Sequence, residues 1–194
     1  PEVLTPEGTQ VRFVGLKSIE LLMLLCLRQG TMVSRQEALD VIWPNSQLVD
    51  PRVRLRQEVM HLKRALSFNG KSAIETCREG FTLTSDVICD IHCFFEYVAL
   101  AAECHDKFEK EKLLEAAYEI SVPPYFDKLR GSWIASVRQD LSTIHRQVAL
   151  DLSSIKIENG ENFVAAKILS GIANDFSDSA NPDRALGIVA LNNY

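Results

Sequence analysis

Residues 50–66 read DPRVRLRQEVMHLKRAL, and this stretch decides how the first half of the chain folds. Asp50 is a good N-cap, and Pro51 suits the first helical position because a backbone N–H is not needed there. At a helical step of about 100° per residue, four apolar side chains fall on one stripe: Leu55, Val59, Leu62 and Leu66. The stretch therefore predicts an amphipathic helix whose stripe faces a core.

The rest of this predicted helix is basic. Gln57, His61 and Arg64 fall opposite the apolar stripe. Residues 50–78 hold seven Lys or Arg against three Asp or Glu, although the chain of 194 residues has a net charge of −5. The positive charge is therefore local, and a local patch is what a nucleic acid requires of a protein surface.

Two predicted helices precede this one, and a predicted hairpin follows it. The first helix ends near Gly30, and the second begins at a capping box formed by Ser34 and Glu37. The hairpin joins two alternating segments, residues 74–77 and 81–84. This order is that of a winged helix-turn-helix domain, in which the third helix enters the major groove and the hairpin, or wing, touches the DNA backbone.

We assign residues 1–88 to this domain, and we expect its partner to be double-stranded DNA. The candidates for base contacts are Arg54, Gln57, His61 and Arg64, since Gln suits adenine and Arg suits guanine. The candidates for phosphate contacts are Arg52, Arg56, Lys63 and Arg78. A basic helix alone is more often a solvated face. The prepared cap, the two preceding helices and the following hairpin together favour DNA.

Residues 89–194 predict a helical domain, so the fold class is mainly α with a small β component. Helices are expected from Asp90, from Phe108 to Ile120, from near Trp133 through Leu152, from Asn162 to about Phe176, and from Pro182. Alanines at packing positions suggest stacked helix pairs of the tetratricopeptide-like kind. This half is acidic, with a net charge of −6.

The sequence patterns of both halves resemble those of a known family. The pattern G-x-x-V-R-F…K-x-x-E-L-L…G-x-x-V-S-R-x-x-A-L…I-W-P…L-R-x-x-V-x-x-L-K-R-A-L…I-E-T-x-x-E-G-F-T-L is similar to the OmpR-type winged helix. The continuation, D-I-H-C-F-F-E and later Y-F-D-K-L…W-I-x-x-V-R, resembles the bacterial transcriptional activator domain of SARP-type activators. Its anchors are Asp90, Phe94, Phe126, Trp133 and Arg138.

The resemblance implies promoter binding, recruitment of RNA polymerase, and a homodimer on tandem DNA repeats. Members of that family have a longer N-terminal sheet and further C-terminal helices. The chain starts at Pro1 without an initiator Met, which leaves open whether it is a fragment of a longer protein.

Other classes of function have less support. The four histidines all fall in predicted helices, with no phosphate loop or nucleophile elbow, so we expect no enzyme and no cofactor. Cys89, His92 and Cys93 lie within one turn, but zinc sites prefer paired cysteines from separate segments. We therefore expect no metal site, and Cys93 and Cys104 to be buried apolar residues.

The longest apolar run, residues 21–27, is far short of the ~20 residues that cross a bilayer. We therefore expect a cytoplasmic protein that does not enter the membrane. Glu58 on the third helix and Glu79 at the hairpin tip make the predicted surface mixed in charge. They leave open an alternative, a protein–protein interaction scaffold whose winged helix does not bind DNA.

Overall fold

The computed structural model describes residues 3–4, 8–44, 50–123, 125–126 and 129–174. Its helices are α1 (Leu16–Leu27), α2 (Arg35–Ile42), α3 (Pro51–Ala65), α4 (Asp90–Glu103), α5 (Lys107–Ile120), α6 (Ser132–Glu158) and α7 (Asn162–Asn174). Its strands are β1 (Val33–Ser34), β2 (Ser67–Phe68), β3 (Lys71–Ser72), β4 (Ile74–Thr76) and β5 (Gly80–Leu83). The fold is mainly helical with a small sheet component, as predicted.

The chain forms two compact units. One holds residues 1–92 and 126–136, and the other holds residues 93–125 and 137–194. The sequence did not predict that residues 126–136 belong with the first unit. In that unit Leu129 and Ile134 are fully buried and pack with Met23 of α1. The proposed domain division at residue 88 stays a prediction.

The first unit is a winged helix-turn-helix, built on one core that α1, α2, α3 and the sheet share. The largest fully buried members of this core are Leu21, Leu25, Ile42, Leu55, Leu62, Ile74 and Phe81. α1 is mostly apolar. After it the chain turns through Gly30, whose φ of +80° is a left-handed conformation that favours glycine. At the start of α2, the hydroxyl of Ser34 accepts the amide N–H of Glu37 at 3.0 Å, so the predicted N-cap is confirmed.

α3 begins as its sequence predicts. The Asp50 carboxylate accepts the amide N–H groups of Arg52 and Val53 at 3.1 and 3.0 Å. Pro51 occupies the first helical position. The predicted apolar stripe is buried throughout: Leu55, Val59, Leu62 and Leu66. The helix packs against α1 and α2. The side of α3 away from these two helices is left to face solvent.

A three-stranded sheet of order β1-β5-β4 carries the wing. β4 and β5 pair antiparallel as the predicted hairpin, with Glu75 opposite Thr82. We call the connection between these strands, residues 77–79, the wing turn. Gly80 follows it, and a Cβ at this position would collide with the backbone carbonyl of Val33, so the absence of a side chain lets β5 lie against β1.

A second hairpin, β2 and β3, was not predicted. Its two-residue loop is Asn69-Gly70, with φ of 51° and 77°. Asn-Gly is the strongest short hairpin signal, because both residues adopt positive φ at low cost. The flanking strands are only two residues long, too short to show an alternating pattern.

In the second unit, α5 and α6 run antiparallel. Lys107 at the start of α5 pairs with Glu158 at the end of α6 at 2.9 Å, while Tyr118 near the end of α5 stacks on His145 in the middle of α6. The ammonium of Lys156 is buried at the α5–α6 contact. It pairs with the carboxylates of Glu111 and Glu115, at 2.6 Å in each case.

Some predictions for this half need correction. His105 lies in the loop between α4 and α5, because Asp106 caps α5 and the helix starts only at Lys107. Cys93 and Cys104 are half-buried rather than buried. The helix expected from Pro182, and the end of the preceding one at Phe176, lie outside the described residues. Within the described ranges, no helix combines the length and apolar character needed to span a membrane.

Candidate nucleic-acid interface

α3 carries a buried carboxylate on the side that faces the core. Glu58 is 5% exposed, and its carboxylate accepts the hydroxyl of Ser18 in α1 at 2.6 Å. The second carboxylate oxygen faces the guanidinium of Arg54 at 3.3 Å. A buried charge needs such partners to offset the loss of its hydration. The expectation that Glu58 adds negative charge to the exposed surface is therefore wrong.

The opposite side of α3 faces solvent. Gln57 and Arg64 are exposed and His61 is half-buried. Two apolar side chains share this side, Val53 at 42% and Met60 at 41% exposure. This outward face thus holds three of the four base-contact candidates of the sequence.

Arg54, the fourth base-contact candidate, points along the flank. Its side chain is 54% exposed, yet its Nε is committed to Glu58. A guanidinium has five N–H donors, so others remain for a ligand. The ion pair limits where those donors can reach, and its spacing of four residues along α3 is the local signal that indicates it.

A surface groove of about 310 Å³ runs along α3 on the side that faces β4, and we call it the basic groove. Its lining is Arg35, Arg56, Val59, Met60, Lys63, Arg64, Ser67 and Thr76. Four of these side chains are cationic and none is acidic. The ammonium of Lys63 lies 3.4 Å from the hydroxyl of Thr76, which links α3 to β4.

The groove gathers only some of the predicted site residues. Arg56, Lys63 and Arg64 line it, whereas Arg52 lies at the first turn of α3 and Arg78 at the exposed wing turn. In the part of the chain that the structure describes, the side chains of Arg52, Arg56, Arg64 and Arg78 have no hydrogen-bond or ion-pair partner. Their cationic groups are thus available to an external polyanion.

Arg35 is the residue that sequence reasoning missed. It is the first residue of α2, and its side chain reaches across to the wing turn. The capping box located the start of α2, but a contact with residues more than forty positions later has no local signal. Among the described residues, no group of three or more His, Cys, Asp or Glu side chains is placed to hold a metal ion.

A solved structure shares the fold of this chain. The chain is similar to EmbR of Mycobacterium tuberculosis. The match, to EmbR in complex with a low-affinity phosphopeptide, has a TM-score of 0.62 at 19% identity. It covers 97% of this chain and 55% of EmbR, so the chain spans about half of the EmbR length. At that identity, the likeness to EmbR shows a shared fold. No family model and no curated protein matches the chain.

Proposed function

We propose that this protein is a sequence-specific transcriptional regulator that binds double-stranded DNA through α3 and the wing. The observation that carries the proposal is the basic groove beside the outward face of α3, with four cations and no carboxylate in its lining. A helix of this width fits the major groove, and cations at its rim neutralise phosphates. The resemblance to SARP-type activators supports the same assignment.

In this proposal the two sets of side chains have different tasks. Gln57, His61 and Arg64 meet base edges from the outward face, and Arg54 adds a contact from the flank. The phosphate contacts come from Arg52, Arg56, Lys63 and Arg78. Phosphate contacts fix the register of the helix on the duplex, and base contacts supply selectivity.

A shift experiment on a random duplex pool tests the proposal. The full chain is incubated with the pool at low and at moderate salt, and bound DNA is sequenced. We expect binding at low salt and enrichment of one sequence pattern at moderate salt, where non-specific electrostatic binding is weaker. Absence of any shift at low salt would refute the proposal.

Arg64→Ala and Lys63→Ala are expected to weaken DNA binding in different ways. Arg64 lies on the outward face and is exposed, so its loss should cost about 1–3 kcal/mol on the preferred sequence and relax selectivity at one base pair. Lys63 is held toward β4 by Thr76, so its loss should weaken all sequences about equally. Affinities for the preferred duplex and for single-base variants of it measure the difference.

Both variants remove one cation from the same groove, so each is the charge control for the other. Neither side chain is in the core, and both variants should keep the wild-type melting temperature. Equal losses on every sequence for both variants would contradict the assignment of Arg64 to a base edge.

A scaffold that binds protein is the second candidate, and the exposed apolar side chains on α3 favour it. Val53 and Met60 are each about two-fifths exposed on the outward face. An amphipathic surface of this kind can dock a partner protein. Replacing Arg52 and Arg56 by alanine discriminates the two functions, because DNA affinity should fall with the loss of phosphate contacts, whereas a protein partner that packs on Val53 and Met60 should be kept.

The helical unit is the proposed contact for RNA polymerase, and the chain is proposed to act in the cytoplasm as an activator, bound as a homodimer on tandem repeats. These assignments rest on the resemblance to SARP-type activators. The stoichiometry on a duplex with one site and on a duplex with two tandem sites tests the pairing. Two chains on the tandem duplex with cooperative binding are expected, and independent binding would contradict a homodimer.

A further inference from the structure

Arg35 binds three successive backbone carbonyls of the wing turn. Its Nη2 donates to the carbonyl of Cys77 at 2.8 Å and its Nε to the carbonyl of Arg78 at 3.0 Å. Its backbone N–H donates to the carbonyl of Glu79 at 3.1 Å. One residue at the start of α2 therefore satisfies every carbonyl of the turn.

The guanidinium of Arg35 also packs against an aromatic ring. Its central carbon lies 4.9 Å from the ring centroid of Phe81, which is fully buried in the core. A planar guanidinium can stack on a ring and donate two parallel hydrogen bonds at once, whereas a lysine ammonium cannot reproduce that geometry. The contact therefore depends on arginine and not on positive charge alone.

Besides the Arg35 side chain, short pairings hold the turn. β5 pairs with β4 over three residues and with β1 over two, and the Cys77 amide donates to the Gly80 carbonyl at 3.0 Å. The Arg35 side chain adds two hydrogen bonds at the turn itself, where the pairing of β4 with β5 has ended. The wing turn carries Arg78. Arg35 also lines the basic groove, so Arg35 connects the wing to the surface of α3.

We propose that Arg35 is a positioning residue for DNA binding, which holds the wing turn, and with it Arg78, in place beside α3. The proposal rests on the proposed DNA-binding function. Arg35 acts through the backbone of the wing turn and leaves the phosphate contact to Arg78. The conservative variant Arg35→Lys separates a positioning role from a role of positive charge alone. It keeps the charge and removes the paired side-chain hydrogen bonds to the carbonyls of Cys77 and Arg78.

Hydrogen–deuterium exchange on the full chain without DNA tests the positioning contact. In Arg35→Lys, amides of the peptide that spans residues 74–83 should exchange about tenfold faster, while amides of α1 and α3 keep their wild-type rates. Arg28→Lys is the matched control, since Arg28 pairs with Glu37 in α2 at the exposed surface and does not touch the wing. Wild-type exchange at the wing in Arg35→Lys would overturn the proposal.

A double-mutant cycle with Arg78→Ala tests the consequence for DNA. Arg35→Lys should weaken binding of duplex DNA about tenfold in the wild-type background and less than about twofold in the Arg78→Ala background, because the turn then no longer presents a cation. Equal losses in both backgrounds, or no loss in either, would overturn the positioning role. If the wild type binds no duplex at all, the proposed function fails, and the exchange result still decides whether Arg35 fixes the turn.

Discussion

Raising the salt concentration from about 50 to 200 mM should weaken binding of the full chain to duplex DNA about 150-fold, or about 3 kcal/mol. Four side chains are proposed to contact phosphate, and each neutralised phosphate contributes about 0.9 to the slope of log affinity against log salt. The expected slope is therefore about −3.6. Fluorescence anisotropy with one labelled duplex over a salt series measures it.

Single variants show whether the slope comes from the proposed surface. Lys63→Ala should reduce its magnitude by about one contact, to about −2.7. Lys112→Ala is the matched control, because Lys112 lies in α5 over the ring of Phe108, outside the winged helix. The Lys112→Ala slope should equal that of the wild type. A flat salt dependence, or equal slope changes in the two variants, would rule out the assigned phosphate contacts.

Lys156→Met should destabilise the helical unit by about 1–3 kcal/mol, because it removes the cation that carboxylates share at a mostly buried position. The side chain of Lys156 is 10% exposed and that of Glu111 is 12% exposed. Glu115 and Glu161, each more than two-fifths exposed, also face this ammonium. Urea unfolding followed by far-ultraviolet circular dichroism measures the loss in free energy of unfolding.

Lys107→Met is the matched control for Lys156→Met. Lys107 also joins α5 to α6, through Glu158, but both side chains are about half exposed or more. Such a surface pair contributes less than about 1 kcal/mol, so its loss should be small. Both tryptophans, Trp43 and Trp133, lie in the first unit, so their fluorescence reports that unit separately. Equal losses for the two variants would contradict the role of burial.

The same cluster makes stability depend on pH. The hydrogen bond from Lys156 lowers the pKa of Glu111 below its ordinary value. A carboxyl whose pKa is depressed by folding stabilises the folded state above its unfolded pKa of about 4.3, and this stabilisation is lost as the pH falls through the lower folded pKa. The difference in stability between wild type and Lys156→Met should therefore shrink below about pH 4. A difference that stays constant down to acid pH would exclude this linkage.

Local signals in the sequence predicted the elements of the winged helix. Asp50 and Pro51 determine where α3 starts, because capping and fixed φ act within a few residues. The apolar stripe from Leu55 to Leu66 determines which side of α3 is buried, because its period is that of the helix itself. Apolar and polar residues alternate on either side of the wing turn. This alternation predicts the β4–β5 hairpin, because its period is that of a β-strand.

The interface depends on contacts between residues distant in sequence. Glu58 carries a charge, which predicts exposure, although its spacing from Leu55 and Leu62 places it on the apolar side. The hydroxyl of Ser18, forty residues away, satisfies its carboxylate there. No periodicity relates Arg35 to the carbonyls of the wing turn, which it meets only because β1 pairs with β5. The amino-acid sequence by itself determines which residues form α3 and which of its sides is apolar. Only the tertiary structure decides which cations border the groove and which are bound within the molecule, because a charged side chain takes the partner that folding brings within reach.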